Sequence, residues 1–223
     1  MEVKLVSFSQ PLEELLGENI NDMQQLVAFC ARVSNPSNQY NTETSEKLIE
    51  YLIANSHWSP MEMVSICLSV TTTRDIARQM LRHRSFSFQE FSQRYADPTK
   101  ELDFVFREAR LQDDKNRQNS IETDDVGLQL NWETQQDYVL AAAQKAYRWA
   151  IDRGIAKEQA RVVLPEGLTV SRLYMSGTLR SWIHYIQLRS ENGTQKEHRE
   201  IAQKCAEVIA TVFPMAKEFI TKQ

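Results

Sequence analysis

The chain has 223 residues, 26 basic and 30 acidic, for a formal net charge of −4, whereas a protein that coats nucleic acid would more often be basic. Six glycines and six prolines, about half the average share, exclude collagen-like and low-complexity chains. Hydrophobic residues at 42% can build a real core, and three cysteines (Cys30, Cys67 and Cys205) without a CxxC pair give neither a disulfide framework nor a zinc ribbon.

At roughly 150 residues per domain, one domain over 1–223 is expected. No apolar run approaches the ~18 residues of a membrane span. The start, MEVKLVSFSQ, lacks the hydrophobic stretch of an export signal. A reducing, cytoplasmic setting and no membrane partner are therefore expected.

Residues 2–8 alternate, with Val3 and Leu5 on one side and Lys4, Val6 and Phe8 on the other, and predict an opening strand. Met23, Leu26, Val27 and Cys30 form one helical face between Asn21 and Val33, broken by Ser34-Asn35-Pro36-Ser37-Asn38. A second amphipathic helix carries Leu48, Ile49, Leu52 and Ile53 and stops at Asn55 and Ser56. Val64, Ile66, Leu68 and Val70 alternate with Ser65, Cys67 and Ser69, the period of a strand with one face on a core. Thr71 to Thr73 offer hydroxyl caps for a helix from Arg74.

Residues 99–132, with the run DDKNRQNSIETDD, are polar and predict an exposed excursion. A long helix is expected from Glu133 to Arg153, with Gly154 as its stop and Trp149 in the core. Between Thr178 and Leu188 a further helix sets Leu179, Trp182, Ile183 and Ile186 against Arg180, His184 and Gln187. Thr194 and Glu197 read as a capping box for a last long helix with Ile201, Cys205, Val208, Ile209 and Val212 buried and His198 exposed. Pro214 opens a short terminal helix. Strands interspersed with helices predict an α+β fold, a mixed sheet with flanking helices.

Polar chemistry concentrates between Arg74 and Arg94. Arg74, Arg78 and Arg82 recur every four residues, which stacks guanidinium groups on one helical face. Such forks match phosphate oxygens, but a solvated basic face salted by Asp75 and Glu90 accounts for the same spacing. Ser85, Ser87, Gln89, Ser92 and Gln93 add neutral donors that a phosphate-bearing ring ligand would use. A nucleic-acid-binding module remains the alternative, with Phe86, Phe88 and Phe91 as stacking rings, and so does a subunit-contact surface. By themselves, Arg189 could be a cation that complements a helix C-terminus, His57 could satisfy backbone groups, and Arg180 and His184 could be solvated.

The segment RHRSFSFQEFS at 82–92 resembles the signature of flavin-dependent thymidylate synthases: Arg-His-Arg, seven residues, then Ser. CARVS at 30–34, HWSPME at 57–62, ARQ at 77–79, ARVVLP at 160–165 and TLRSWIHYIQLR at 178–189 follow the family in the same order. The resemblance implies reductive methylation of deoxyuridine monophosphate (dUMP) to thymidylate. It also implies FAD as cofactor, NADPH and methylenetetrahydrofolate as co-substrates, and a homotetramer with shared sites, with neither nucleic acid nor metal.

It further implies FAD contacts at Ser34, His57, Ser59, Glu62, Arg82, His83, Arg84, Glu90, Thr178, Leu179, Arg180 and His184. For dUMP it implies Gln79, Met80, Leu81 and Arg82, then Glu90, Phe91, Ser92, Gln93 and Arg94, then Arg161 and Arg189. The resemblance makes Arg189 the group that would activate the uracil ring, and Ser92 is expected to be a nucleotide ligand. The chain departs from the family pattern at Met63, where many members have His, at Thr178, where many have Asn, and at Gly193-Thr194 in place of His-Ala. The cysteines sit on apolar stripes or within a strand, where a thiol behaves as a small hydrophobe. The resemblance implies ring activation by a fixed cation in place of thiol addition.

Overall fold

The computed structural model describes residues 1–220; the last three residues of the expected 1–223 domain lie outside them. In chain order the elements begin with β1 (Glu2–Phe8), α1 (Glu13–Leu16), α2 (Met23–Ala31), α3 (Ser45–Ala54) and β2 (Ser65–Thr73). Then come α4 (Arg74–Met80), β3 (Ser87–Glu90), α5 (Pro98–Glu101), β4 (Arg110–Gln112), β5 (Ser120–Glu122) and α6 (Val126–Asp152). The chain continues through α7 (Lys157–Ala160), β6 (Val170–Thr178), α8 (Leu179–Ser190) and α9 (Lys196–Ile209) to a 3-10 turn at Pro214–Phe219.

The four-stranded sheet has the order β1-β2-β6-β3 and each neighbouring pair is antiparallel. The α+β class and the flanking helices are as the sequence predicts, but the sheet is not mixed. Each central strand runs straight into a helix, β2 into α4 and β6 into α8, and neither helix crosses over to a parallel neighbour. The β2–β6 ladder pairs Ser65 with Thr178 at one end and Thr73 with Val170 at the other. The two helices therefore leave from opposite ends of the sheet.

Period-two alternation puts Ile66, Leu68, Val70, Leu173 and Met175 in one core with Trp182, Ile183 and Ile186 of α8 and Ile201, Cys205 and Ile209 of α9. Trp182 is fully buried and its indole Nε1–H donates to the Ile66 carbonyl at 3.0 Å, which removes the cost of an unpaired buried donor. Among the described residues no helix is long and apolar enough to cross a membrane.

Four local expectations are corrected. Helix α6 begins at Val126, not Glu133, because Asp125 caps it by accepting from the Leu128 N–H at 2.9 Å. The polar excursion thus contains α5, the β4–β5 hairpin and the first turns of α6. Trp149 is 53% exposed, with the Arg153 guanidinium 4.4 Å from its ring centre. The buried stripe of α6 is instead Gln136, Leu140, Ala143, Tyr147 and Ala150.

Thr194 does not cap α9. Gln195 occupies the cap position, the Thr194 hydroxyl donates to the Leu188 carbonyl at 3.4 Å, and Glu197 is drawn away by Arg110. Thr73 precedes α4, but its hydroxyl donates to Asp75 Oδ1 at 2.6 Å and caps no backbone N–H.

Gly177 of β6 lies against the Phe86 ring: a Cβ there would stand 2.5 Å from Cδ1 and 2.7 Å from Cε1. Overpacking of this kind costs about 1–3 kcal/mol. Gly177→Ala is therefore expected to lower the urea midpoint of unfolding, whereas an unchanged midpoint would mean that the ring has room to step aside.

Candidate active site

The three arginines spaced by four residues do not form a continuous basic face. Arg74 is 7% exposed and lies 3.7 Å from Glu90 and 3.9 Å from Glu166, and Arg78 shares Glu166 at 3.6 Å. Helix α4 ends at Met80, so Arg82 belongs to the turn that follows. That turn is closed by the His83 N–H on the Met80 carbonyl at 3.0 Å and the Phe86 N–H on the His83 carbonyl at 3.3 Å. Phe86 is buried, its ring 4.8 Å from Trp182 and 6.0 Å from Tyr185. The stacking platform that a nucleic-acid reading needs is thus absent at Phe86.

Helix α8 forms the wall behind the turn. Arg189 donates from Nε to His83 Nε2 at 2.9 Å, and the Ser181 hydroxyl donates to the Ser85 carbonyl at 3.2 Å. An Nε2 that accepts leaves the ring proton of a neutral His83 on Nδ1. Burial, with the Arg189 charge as the second cause, pushes His83 down to about 4, so the imidazole beside the guanidinium is neutral. Among the described residues Arg82, Arg84 and Arg189 have no carboxylate partner, and Arg82 and Arg84 are exposed.

Nearer the start of α8, Arg180 pairs with Glu62 and His184 packs on Trp58 with ring centres 4.4 Å apart. Ser59 opens the short 3-10 turn that ends at Glu62. Ser59, Glu62, Arg180 and His184 are thereby brought to one face, and burial lowers the His184 pKa. Thr178 caps α8, accepting from the Ser181 N–H at 3.3 Å. Leu179 is 1% exposed and is held through its backbone N–H on the Val64 carbonyl at 3.0 Å. His57 is exposed, its ring 6.2 Å from Tyr51, with its backbone N–H on the Leu52 carbonyl. Ser34 follows α2 and lines a cavity of about 500 Å³ with Arg32, Asn35, Asn38, Thr44 and Lys47.

The second expected nucleotide segment lies elsewhere. Glu90 accepts from the Ser171 hydroxyl at 2.8 Å, the Phe91 N–H donates to the Arg172 carbonyl at 2.8 Å, and Ser92 Oγ accepts from the Arg94 N–H at 3.3 Å. Gln93 is 3% exposed and its buried Nε2 has no protein partner. Arg94 pairs with Glu158 at 3.5 Å, and Arg161 Nε donates to the Glu158 carbonyl at 3.3 Å, so Arg94 and Arg161 converge. This group sits at the Arg74 end of α4, whereas Gln79, Met80, Leu81 and Arg82 lie at the other end, about 10 Å away for a helix of seven residues. Met80 is fully buried and offers no side chain to a ligand.

Sequence reading missed a buried set between α4, α8 and α9. His198 is fully buried, not exposed, with Nδ1 3.2 Å from Gln79 Oε1 and Nε2 3.1 Å from the Tyr185 hydroxyl. Its position three and seven residues before Ile201 and Cys205 puts it on their apolar stripe, and that spacing is the signal that could have found it. Burial first, then the Arg189 and His83 charges, push His198 down to about 3. Burial raises the pKa of all three thiols, most strongly at Cys205.

Both histidines release their protons on folding, since each is lowered from about 6.5. The unfolded chain therefore binds more protons below pH ~6.5, and stability rises with pH there. The folded protein is expected to lose stability as pH falls from about 6.5 toward 4 for His83 and toward 3 for His198. In melting curves over that range, His198→Gln should flatten the slope, and an unchanged slope would mean that His198 is charged in the fold.

The model of the family described as "Thymidylate synthase complementing protein" matches residues 14–215. The chain is 46% identical over 214 residues to a protein of Paramecium bursaria Chlorella virus 1 called "Probable flavin-dependent thymidylate synthase", covering 96% of each chain. A Synechocystis sp. "Flavin-dependent thymidylate synthase" matches with the same identity and coverage. A solved structure titled as a UMP/dUMP methylase, PolB from Streptomyces cacaoi bound with 5-Br dUMP, superposes with a TM-score of 0.78 at 26% identity, over 98% of this chain and 93% of that one. With the signature turn of Arg82, His83 and Arg84 docked on α8, the match over nearly the whole chain shows that this protein belongs to the thymidylate synthase complementing protein family, the flavin-dependent thymidylate synthases.

Proposed function

We propose that this chain, as a single domain, makes thymidylate by reductive methylation of dUMP, with FAD as its cofactor. The observation that carries the reading is the signature turn, in which two exposed arginines without carboxylate partners flank a neutral imidazole held by Arg189. The donor set fits FAD: Arg82 and Arg84 are forks suited to phosphate oxygens. Arg180, His184 and the cap Thr178 of α8, with Glu62 on Arg180 and with Ser59, His57 and Ser34, make up the rest of the proposed holding set, whereas Leu179 is buried with its N–H already bonded and Glu90 stands at the far end of α4. When bound, FAD reduced by NADPH supplies the hydride for the methylene carbon delivered by methylenetetrahydrofolate.

Uracil C5 becomes nucleophilic when negative charge on the ring is stabilised. A guanidinium stays protonated at any working pH, so Arg189 would act as a fixed cation and not as a proton acceptor. Its Nε is spent on His83, and this orients the two terminal nitrogens of the fork. Ser92 Oγ accepts from the Arg94 N–H and has no base among its hydrogen-bond partners, which supports a ligand role over a nucleophile. Gln93 Nε2, buried and unpaired, is a donor that a bound nucleotide would satisfy.

The two dUMP segments stand at opposite ends of α4, about 10 Å apart along the helix. The family resemblance implies a homotetramer with shared sites, in which one chain would lend Gln79 to Arg82 and another Glu90 to Arg94 with Arg161. Unpaired thiols suit a reducing, cytoplasmic setting.

The purified protein is expected to be yellow and to form thymidylate from dUMP, methylenetetrahydrofolate and NADPH. A colourless protein that neither binds added FAD nor turns over would sink the reading. Arg84→Ala should weaken FAD roughly ten- to hundredfold, as for loss of a charge-assisted contact, and dUMP less; equal losses would reject the division between the two ligands. Arg189→Lys keeps the charge without the planar fork, so turnover should collapse at normal flavin content. A variant lacking Cys30, Cys67 and Cys205 should still make thymidylate, checked beside its stability and flavin content. Loss of methylation in one folded, flavin-loaded cysteine variant would point to thiol addition instead.

A further inference from the structure

The buried set behind Gln79 has a direction. Gln79 Nε2 donates to Gln195 Oε1 at 2.8 Å, and Gln195 Nε2 donates to Glu197 Oε2 at 2.9 Å. Glu197, an acceptor only, is also paired with Arg110 on the hairpin that opens at β4. Because Glu197 must accept, Gln195 must present its nitrogen to it and its oxygen to Gln79. Gln79 must then turn its nitrogen to Gln195 and its oxygen to His198. His198 Nδ1 therefore carries the proton, and Nε2 accepts from the Tyr185 hydroxyl, which is itself buried. Each group from Arg110 to Tyr185 is thus assigned one role, and reversal at any point would set two donors or two acceptors against each other.

We propose that His198, backed by Tyr185, is a positioning residue that, together with Gln195 on the other side, holds the Gln79 side-chain amide in one orientation for the nucleotide. This rests on the assignment of Gln79 to dUMP made above. An amide free to flip would offer the ligand a donor in one state and an acceptor in the other, and only one of these matches a given edge of the base or phosphate. The lock holds Gln79 at the end of α4, one turn before Arg82, without His198 touching the ligand. The Glu197–Arg110 pair ties the same lock to the polar excursion, whose hairpin is further anchored by Lys196 on Glu108 at 2.7 Å and Glu122 at 2.5 Å.

The test is a double-mutant cycle on dUMP affinity, measured by calorimetry on the FAD-loaded protein. His198→Leu keeps the bulk and removes both hydrogen bonds. It should raise the dUMP dissociation constant about three- to tenfold, the worth of one neutral hydrogen bond, with flavin content unchanged. Gln79→Ala should weaken dUMP at least as much. Combined, the two should cost no more than Gln79→Ala alone, because His198 acts only through Gln79.

His198→Gln, which retains one donor and one acceptor, should recover part of the affinity. Tyr185→Phe is the milder variant, and it should shift the dissociation constant in the same direction if His198→Leu does not fold. Additive losses in the cycle, or normal dUMP affinity in folded Tyr185→Phe, would overturn the proposal. Failure of the wild-type protein to bind dUMP, or full affinity in Gln79→Ala, would instead remove the assignment of Gln79 on which it stands.

Discussion

The hydrogen bond from Arg189 to His83 joins two segments 106 residues apart, and the arrangement of the site depends on it. A guanidinium is expensive to bury, and an imidazolium beside it would add like-charge repulsion. The solution here is an imidazole kept neutral by burial that accepts from the cation. One bond thereby fixes the tautomer of the signature histidine and the azimuth of the arginine. No carboxylate neutralises that arginine among the described residues, so its charge is available to a ligand.

The backbone makes this meeting possible. Strands β2 and β6 pair along nine residues each, from Ser65–Thr178 to Thr73–Val170, and each runs directly into a helix. Antiparallel pairing sends α4 and α8 back over the same core from opposite ends. The turn after α4 thus reaches the flank of α8, where Ser181 takes the Ser85 carbonyl and Trp182 takes Phe86. Gly177 in β6 leaves space for the Phe86 ring. Packing of one aromatic residue and placement of the exposed arginines Arg82 and Arg84 are therefore the same event.

Electrostatic economy separates two kinds of arginine in the Arg74–Arg94 segment. Arg74 and Arg78 are paired with Glu90 and Glu166 and hold α4 in place. Arg82 and Arg84, two and four residues beyond the end of that helix, are exposed and carry no acidic partner among the described residues. The spacing of four residues makes Arg74, Arg78 and Arg82 look alike on a helical wheel, yet the stop at Met80 sets Arg82 apart.

Much of this was legible in the residues themselves. Strict alternation at Ile66, Leu68 and Val70 gave β2 because a strand buries every second side chain, and the 3.6-residue stripes of α8 and α9 gave their buried faces for the corresponding reason. The Arg-His-Arg signature was legible because its residues are contiguous. What depends on partners distant in sequence was not. His198 lies on an apolar stripe, but its hydrogen bonds come from Gln79 and Tyr185 on other helices. Thr194 and Glu197 have capping-box spacing, but Arg110 claims the glutamate. Strand order and antiparallel sense, the exposure of Trp149, and the separation of residues 79–82 from residues 90–94 by the length of α4 were likewise set in three dimensions. Sequence periodicity records which face of an element is buried; which groups meet across that face is decided only when the elements pack.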